Sequence, residues 1–265
     1  MADLSTGAPR RDPGFTALGA AGHLDDAELA RLYHYPAPAK PQTWVRANFI
    51  SSIDGAAAVS GRSGALGRTG DRVVFTLLRA LADVVVVGAG TVRAENYGGV
   101  TLAPPERQRR RAAGQTVVPR LAIVTGSGLL DRDMRVFTDT ELPPLVLTCT
   151  AAIAATRRRL AGRAEVLDCS ANDPARVDEP TMLDVLATRG HYRVLTEGGP
   201  SLLGSFIDSG LLDELCLTVA PYLLGGPAPR IATGPGEMLT AMRCAHLLTD
   251  DSGYLYGRYV KTPRL

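Results

Sequence analysis

Four consecutive valines, Val84 to Val87, run straight into Gly88-Ala89-Gly90-Thr91-Val92, and this stretch constrains the fold more than any other. A strand with one face in water alternates apolar and polar residues. A strand apolar at every position is covered on both faces, as in a parallel sheet lying between layers of helices. The glycines that follow permit a sharp turn and a close backbone approach. The helix that starts there offers unpaired N–H groups to an anion. A full Gly-x-Gly-x-x-Gly would need glycine at 93, where Arg93 stands, so the standard dinucleotide fingerprint is not met. On spacing alone, Gly88 and Gly90 suit a nucleotide site and a plain tight turn equally.

The same pattern recurs downstream. A strand at 192–196 leads into Glu197-Gly198-Gly199-Pro200-Ser201-Leu202, with Pro200 suited to a first helical turn. Glu197 then sits at the strand's C-terminal edge, where open α/β sheets bind ligands. Its other reading is a surface or capping carboxylate. A third strand, 44–50, ends in Ser51-Ser52-Ile53-Asp54-Gly55. Asp54 either fixes that turn through its side chain or lends a carboxylate to a cleft, and the residues leave both open.

Periodicity places further strands at 83–87, 121–125, 145–148 and 164–167, alternating with helices over 69–82, from 91, over 151–160, 181–188 and 201–209. In the 69–82 helix, Val73, Leu77, Leu78 and Leu81 mark the apolar face and Thr69 is a candidate N-cap. The last third changes character. Strands are expected at 214–220, 244–249 and 254–260, the last two joined by a turn at 250–253. The fold class is therefore α/β, with a sheet that starts parallel and finishes antiparallel. Residues 98–119, with the run Arg107-Gln108-Arg109-Arg110-Arg111, read as an exposed excursion, and the run as a solvated loop rather than a phosphate clamp. A Gly/Ala/Pro-rich extension (1–22), a short helix (24–35) and a Pro-rich linker (36–41) precede the body, dividing the chain into 1–42 and 43–265.

Composition removes several chemistries. With 29 basic against 27 acidic residues, nothing marks a nucleic-acid or membrane-surface binder. No signal peptide and no run of ~18 apolar residues is visible, so a cytoplasmic protein is expected. Lys40 and Lys261 are the only lysines, which argues against Schiff-base and P-loop lysines. Neither stands four residues after a tyrosine, so the Tyr-x-x-x-Lys of short-chain dehydrogenases is missing. Cys149, Cys169, Cys216 and Cys244 are as scattered as His23, His34, His191 and His246. No metal site is expected, and the cysteines read as reduced thiols.

Taken in order, the motifs resemble the pyrimidine reductase domain of bacterial riboflavin biosynthesis. They are Ser52-Ile53-Asp54-Gly55, Ser60-Gly61-Arg62-Ser63, Leu77-Leu78-Arg79, Thr91-Val92, Glu197 to Leu202, Leu212-Asp213-Glu214-Leu215 and Ala220-Pro221-Tyr222-Leu223-Leu224-Gly225. The resemblance covers roughly residues 43–260. It implies a dihydrofolate-reductase-like three-layer fold, NADPH as cofactor and a homodimer. The implied reaction is reduction of 5-amino-6-(5-phosphoribosylamino)uracil by hydride transfer. Carried over by motif, Ser63, Arg79 and Glu197 contact substrate. Ala65, Thr91, Glu95, Ser127 and the turn from Gly199 through Pro200, Ser201 and Leu202 to Ser205 contact NADPH, joined by Gly88, Gly90 and Gly198 from the two glycine turns. Ser127 is placed to meet the adenosine 2′-phosphate. Glu197 and Asp54 are the carboxylates available to hold ring N–H groups or relay a proton. The chain departs from the family in lacking the deaminase zinc motifs and in placing Ala65 or Leu66 where a tryptophan stands. Leu102 falls where an arginine is expected. Two alternatives follow: reduction of a pterin such as dihydrofolate, and a non-catalytic NADPH-binding regulator.

Overall fold

The computed structural model describes residues 22–37 and 42–262. The expectations for residues 1–21 and for 38–41 of the linker lie outside the described residues. In chain order the elements are α1 (Asp26–Leu32), β1 (Trp44–Ser52), α2 (Thr69–Leu81), β2 (Val84–Gly88), α3 (Ala89–Ala94), α4 (Pro104–Ala112), β3 (Arg120–Val124), α5 (Arg135–Thr138) and β4 (Leu145–Thr148). They continue with α6 (Thr150–Arg159), β5 (Glu165–Asp168), α7 (Glu179–Ala187), β6 (Arg193–Thr196), α8 (Pro200–Asp208), β7 (Glu214–Ala220), β8 (Met242–Thr249) and β9 (Leu255–Lys261).

The strands form one sheet ordered β5-β4-β3-β2-β6-β1-β7-β9-β8. Pairing is parallel from β5 through β7 and antiparallel for β7–β9 and β9–β8. This is the expected three-layer architecture. The valine run explains itself in β2. Val85 and Val87 face one core with Leu78, Val92, Ile123, Val146 and Leu195. Val84 and Val86 face the other with Leu145, Leu147, Met182, Leu186, Leu203 and Phe206. All four valines are fully buried. Each contributes about 1.5–3 kcal/mol relative to exposure, so neither face tolerates a polar residue.

Chain order breaks at the centre of the sheet. After β1 the chain enters β2, leaving a gap that β6 later fills. Both crossovers therefore diverge above the C-terminal ends of β1, β6 and β2, which opens a crevice there.

Three expectations are corrected. In α2, Val74 and Leu78 are buried while Val73 is exposed, and Arg68 rather than Thr69 occupies the N-cap, with no side-chain cap. The arginine run is not a loop: Pro104 and Pro105 open α4, which carries it. Arg110 is buried there, and its guanidinium donates to the carbonyls of Ala80 (2.8 Å), Ala82 (2.5 Å) and Thr116 (2.8 Å). Those carbonyls at the end of α2 need partners, and burial of the guanidinium to meet them lowers its pKa to about 10. The short helix α5 carried too little periodicity to be expected.

At the opposite, N-terminal end of the parallel strands lies a charged cluster. Glu214 is fully buried and takes Arg46 at 2.6 Å, Arg258 at 2.8 Å and the Trp44 indole N–H at 3.0 Å. The segment after α1 packs over it. The Tyr35 ring lies 3.8 Å beneath the Arg46 guanidinium, and Arg258 donates to the carbonyls of Leu32 and His34. Tyr33 and Tyr35 are both buried in consequence.

Candidate active site

The crevice over the sheet's C-terminal edge is a cleft of about 1080 Å³. Its lining follows the strand order: Asn48 to Ile50 from β1, Glu197 and Gly199 after β6, Gly88 to Thr91 after β2, and Val124 to Ser127 after β3. Three strand spacings separate β1 from β3, about 14 Å, enough for an extended two-part ligand.

The two glycine turns meet. Gly198 carbonyl accepts from the Gly88 N–H at 2.6 Å. A Cβ on Gly199 would lie 2.6 Å from Thr91 Oγ1, and one on Gly88 would lie 3.3 Å from Gly199 N, so glycine at both places keeps the two turns in close contact. Gly198 adopts φ +104°, with the Phe49 ring packed against it. Gly199 is the N-cap of α8 and provides no side-chain cap. The N–H groups of Ser201 and Leu202 at this helix start are therefore available at the cleft wall, beside Thr91.

The other end of the cleft is built on one carboxylate. Glu197, nearly buried, receives Arg79 Nε on Oε1 and Nη2 on Oε2, each at 2.7 Å, and the Tyr97 hydroxyl on Oε2 at 2.9 Å. Arg79 also lies over the Phe75 ring, 4.1 Å from its centroid. Burial alone would lower the Arg79 pKa, but the Glu197 charge outweighs it and raises the pKa above the ordinary value. Burial, reinforced by the Glu197 charge, lifts the Tyr97 hydroxyl well above 10. Glu197 is thus a buried carboxylate held in one orientation by three hydrogen bonds, not a surface carboxylate. Three hydrogen bonds leave it about one acceptor position for a ligand N–H.

The structure brings most of the expected residues together. Ser63, Arg79, Gly88, Gly90, Thr91, Glu95, Ser127, Glu197, Gly199, Pro200, Ser201 and Leu202 all line the cleft. Ser63 and Glu95 bind each other: the serine N–H and hydroxyl both donate to Glu95 Oε1, at 2.7 and 2.9 Å. Gly198 stands behind the wall it shapes. Ala65 is exposed on the short turn 63–65 and faces a smaller depression, which shares Gly64 and Glu95 with the cleft.

Asp54 is elsewhere. Its carboxylate accepts from the Ser52 hydroxyl, from Leu224 N–H at 3.2 Å and from Gly225 N–H at 2.7 Å. Those donors, the Ser52 hydroxyl first, hold its pKa at about 2. It ties the β1 turn to the loop after β7, and of its two readings the geometry favours the turn over proton relay. Tyr97 and Phe75 were not expected at the site. Phe75 stands one helical turn before Arg79, a spacing that could have singled it out. Tyr97 follows α3 in a loop with no periodic signal. Among the described residues, no cluster of His, Cys, Asp or Glu suits a metal ion, and no helix is long and apolar enough to cross a membrane.

Comparison with known proteins places this geometry. The model of the RibD C-terminal domain matches residues 43–256. The riboflavin biosynthesis protein RibD of Bacillus amyloliquefaciens is 28% identical over 79% of this chain, which spans 54% of that protein's length. A 2,5-diamino-6-ribosylamino-4(3H)-pyrimidinone 5′-phosphate reductase of Archaeoglobus fulgidus is 27% identical over 72% of this chain and 86% of its own. The crystal structure of a pyrimidine reductase-like protein from Corynebacterium diphtheriae superposes with a TM-score of 0.75 at 28% identity, covering 84% of this chain and 93% of that one.

Proposed function

The chain belongs to the RibD C-terminal domain family, and from that premise we propose that it is an NADPH-dependent reductase of a ribosylaminopyrimidine of the riboflavin pathway. The observation that carries this reading is the joined pair of glycine turns beside the Arg79–Glu197–Tyr97 network, in one cleft. The residues present fit a dinucleotide: glycines at 88 and 199 let the two turns approach closely, and the uncapped start of α8 opens onto the cleft.

In this reading Thr91, Ser201 and the α8 N–H groups hold the pyrophosphate. When bound, the nicotinamide supplies a hydride. Glu197 accepts one N–H of the pyrimidine ring, and its bonds to Arg79 and Tyr97 fix the angle at which it does so. The apolar walls from Phe49, Ile50 and Phe75 exclude water from the reacting end. The proton that accompanies the hydride has the hydrogen-bonded Tyr97–Glu197 pair at hand. The family resemblance further implies a homodimer through the C-terminal strands.

The test is steady-state NADPH oxidation with 5-amino-6-(5-phosphoribosylamino)uracil, its 2,5-diamino-pyrimidinone counterpart and dihydrofolate. Turnover of a phosphoribosylaminopyrimidine is expected. Turnover of dihydrofolate alone would replace the substrate class, and tight NADPH binding without any turnover would favour a regulator.

A further inference from the structure

Resting on the reductase reading, we infer that Asp71 reads the C2–N3 edge of the substrate ring and selects 2-aminopyrimidinones over uracils. Five carboxylates line the cleft, and four of them are engaged. Glu197 holds Arg79 and Tyr97, and Glu95 takes the Ser63 N–H and hydroxyl. Asp139 pairs with Arg135 at 2.6 Å, and Glu179 accepts from the Ser205 hydroxyl. Asp71 is the fifth. Among the described residues it has no ion pair, and no backbone N–H holds it. Burial raises its pKa above the ordinary carboxylate value, against the Thr218 hydroxyl and the exposed Arg72, which lower it. A carboxylate in that state lacks donors, and a ligand can supply them.

Its place in the cleft follows from α2. Asp71, Phe75 and Arg79 are spaced by four residues, share one face of the helix and all line the cleft. Asp71 stands in the first turn and Arg79 in the last, about 12 Å apart along the axis. Arg79 fixes Glu197 at its end, and Phe75 lies between. Asp71 marks the other end, toward β7, where Thr218 pairs with Ile50 of β1. Gly67 keeps the space beside the carboxylate clear: a Cβ there would lie 2.7 Å from Asp71 Oδ2. The span suits one heteroaromatic ring beside Phe75 with a hydrogen bond of about 3 Å at each edge.

Chemistry decides which edge of the ring it takes. The 6-position carries the ribosylamino group that is reduced, so that side faces the nicotinamide beside Glu197. Across the ring lies the C2–N3 edge, which then points toward Asp71. In a 2-amino-4-pyrimidinone this edge presents N3–H and a 2-amino N–H side by side, two donors for the two oxygens of one carboxylate. In a uracil the second place holds the C2 carbonyl, an acceptor set against an acceptor. No bond is made or broken at this edge. Asp71 acts on the choice and placement of the ring, not on the hydride.

The test compares kcat/KM for 2,5-diamino-6-ribosylamino-4(3H)-pyrimidinone 5′-phosphate and for 5-amino-6-(5-phosphoribosylamino)uracil, on wild type, D71N and D71S. Asparagine keeps the size of the side chain and adds an amide that can donate to a C2 carbonyl. The wild type is expected to prefer the diamino compound by about tenfold or more. D71N should lose about tenfold or more on that compound, change less than about threefold on the uracil, and bind NADPH within about twofold of wild type. D71S, lacking both carboxylate and amide, should lose the diamino preference without gaining on the uracil. A wild-type preference for the uracil overturns the inference without any variant. So does an equal loss on both compounds in D71N, which would mark a merely structural role. Turnover of neither compound by a wild type that binds NADPH overturns the reductase reading, and the inference with it.

Discussion

Replacing Tyr97 with Phe removes a single oxygen from the floor of the cleft and tests whether Glu197 works as an oriented carboxylate. The aromatic ring stays, so its packing near Arg79, 5.6 Å from ring centroid to guanidinium, is kept. What is lost is the 2.9 Å bond to Glu197 Oε2. A hydrogen bond to a charged group is worth about 1.5–3 kcal/mol. Felt wholly in the transition state, that spans about 10- to 150-fold in rate. Arg79 still grips both oxygens at 2.7 Å, so the carboxylate tilts rather than escapes, and the lower end of about tenfold in kcat is expected. Initial rates of NADPH oxidation give kcat and KM, and a binding titration gives the nucleotide affinity, which should not move. The decisive arm is the double variant. If Tyr97 acts through Glu197, adding Y97F to E197Q costs less than a further twofold. Equal losses in both backgrounds, or a Y97F enzyme with full activity, would refute the reasoning.

The buried cluster at the other end of the sheet predicts a stability effect. Glu214→Gln leaves Arg46 and Arg258 without their counter-charge and should cost roughly 3–5 kcal/mol, read as a fall of about 6–20 °C in Tm; a fall below about 3 °C would show that the charge is dispensable. His246 packs edge-on to Tyr33, and burial, aided by Arg258, depresses its pKa from 6.5 to about 4. Its folded form binds fewer protons than its unfolded form, so its neutral state contributes no pH dependence above 6.5, and stability is lost as pH falls from 6.5 toward about 4. Denaturant titrations across that window should show the slope in wild type and a shallower one in His246→Phe. Identical slopes would sink the assignment.

What could be read from the residues followed how local each cause was. The valine run and the two glycine turns state their own conformation, so the parallel core and the glycine turns at its C-terminal edge were both expected. Arg110 shows the converse. Nothing in Arg107 to Arg111 distinguishes the one guanidinium that folds inward, because its reason is the end of α2, some thirty residues earlier in the chain and adjacent only in space. Asp54 had two readings because its partners, Leu224 and Gly225, lie 170 and 171 residues away. Tyr97 was invisible for the same reason: its partner Glu197 is 100 residues downstream. The family motifs named Arg79 and Glu197 but not that they bind each other, which turns two expected ligand contacts into one preset device.

The packing of Tyr33 and Tyr35 over Arg46 separates two borders that are easily taken as one. The match to the family model begins at residue 43. Thermodynamic integrity begins earlier, since residues before that point supply the aromatic face under one buried guanidinium and two carbonyl acceptors for another. A fragment trimmed to the residues matched by the family model would expose a cluster carrying one excess positive charge to water. It would keep every residue of the cleft and lose part of what makes the sheet beneath it rigid. The leading segment thus acts as a gasket for the foundation of the site, a role that no comparison of active-site motifs would reveal.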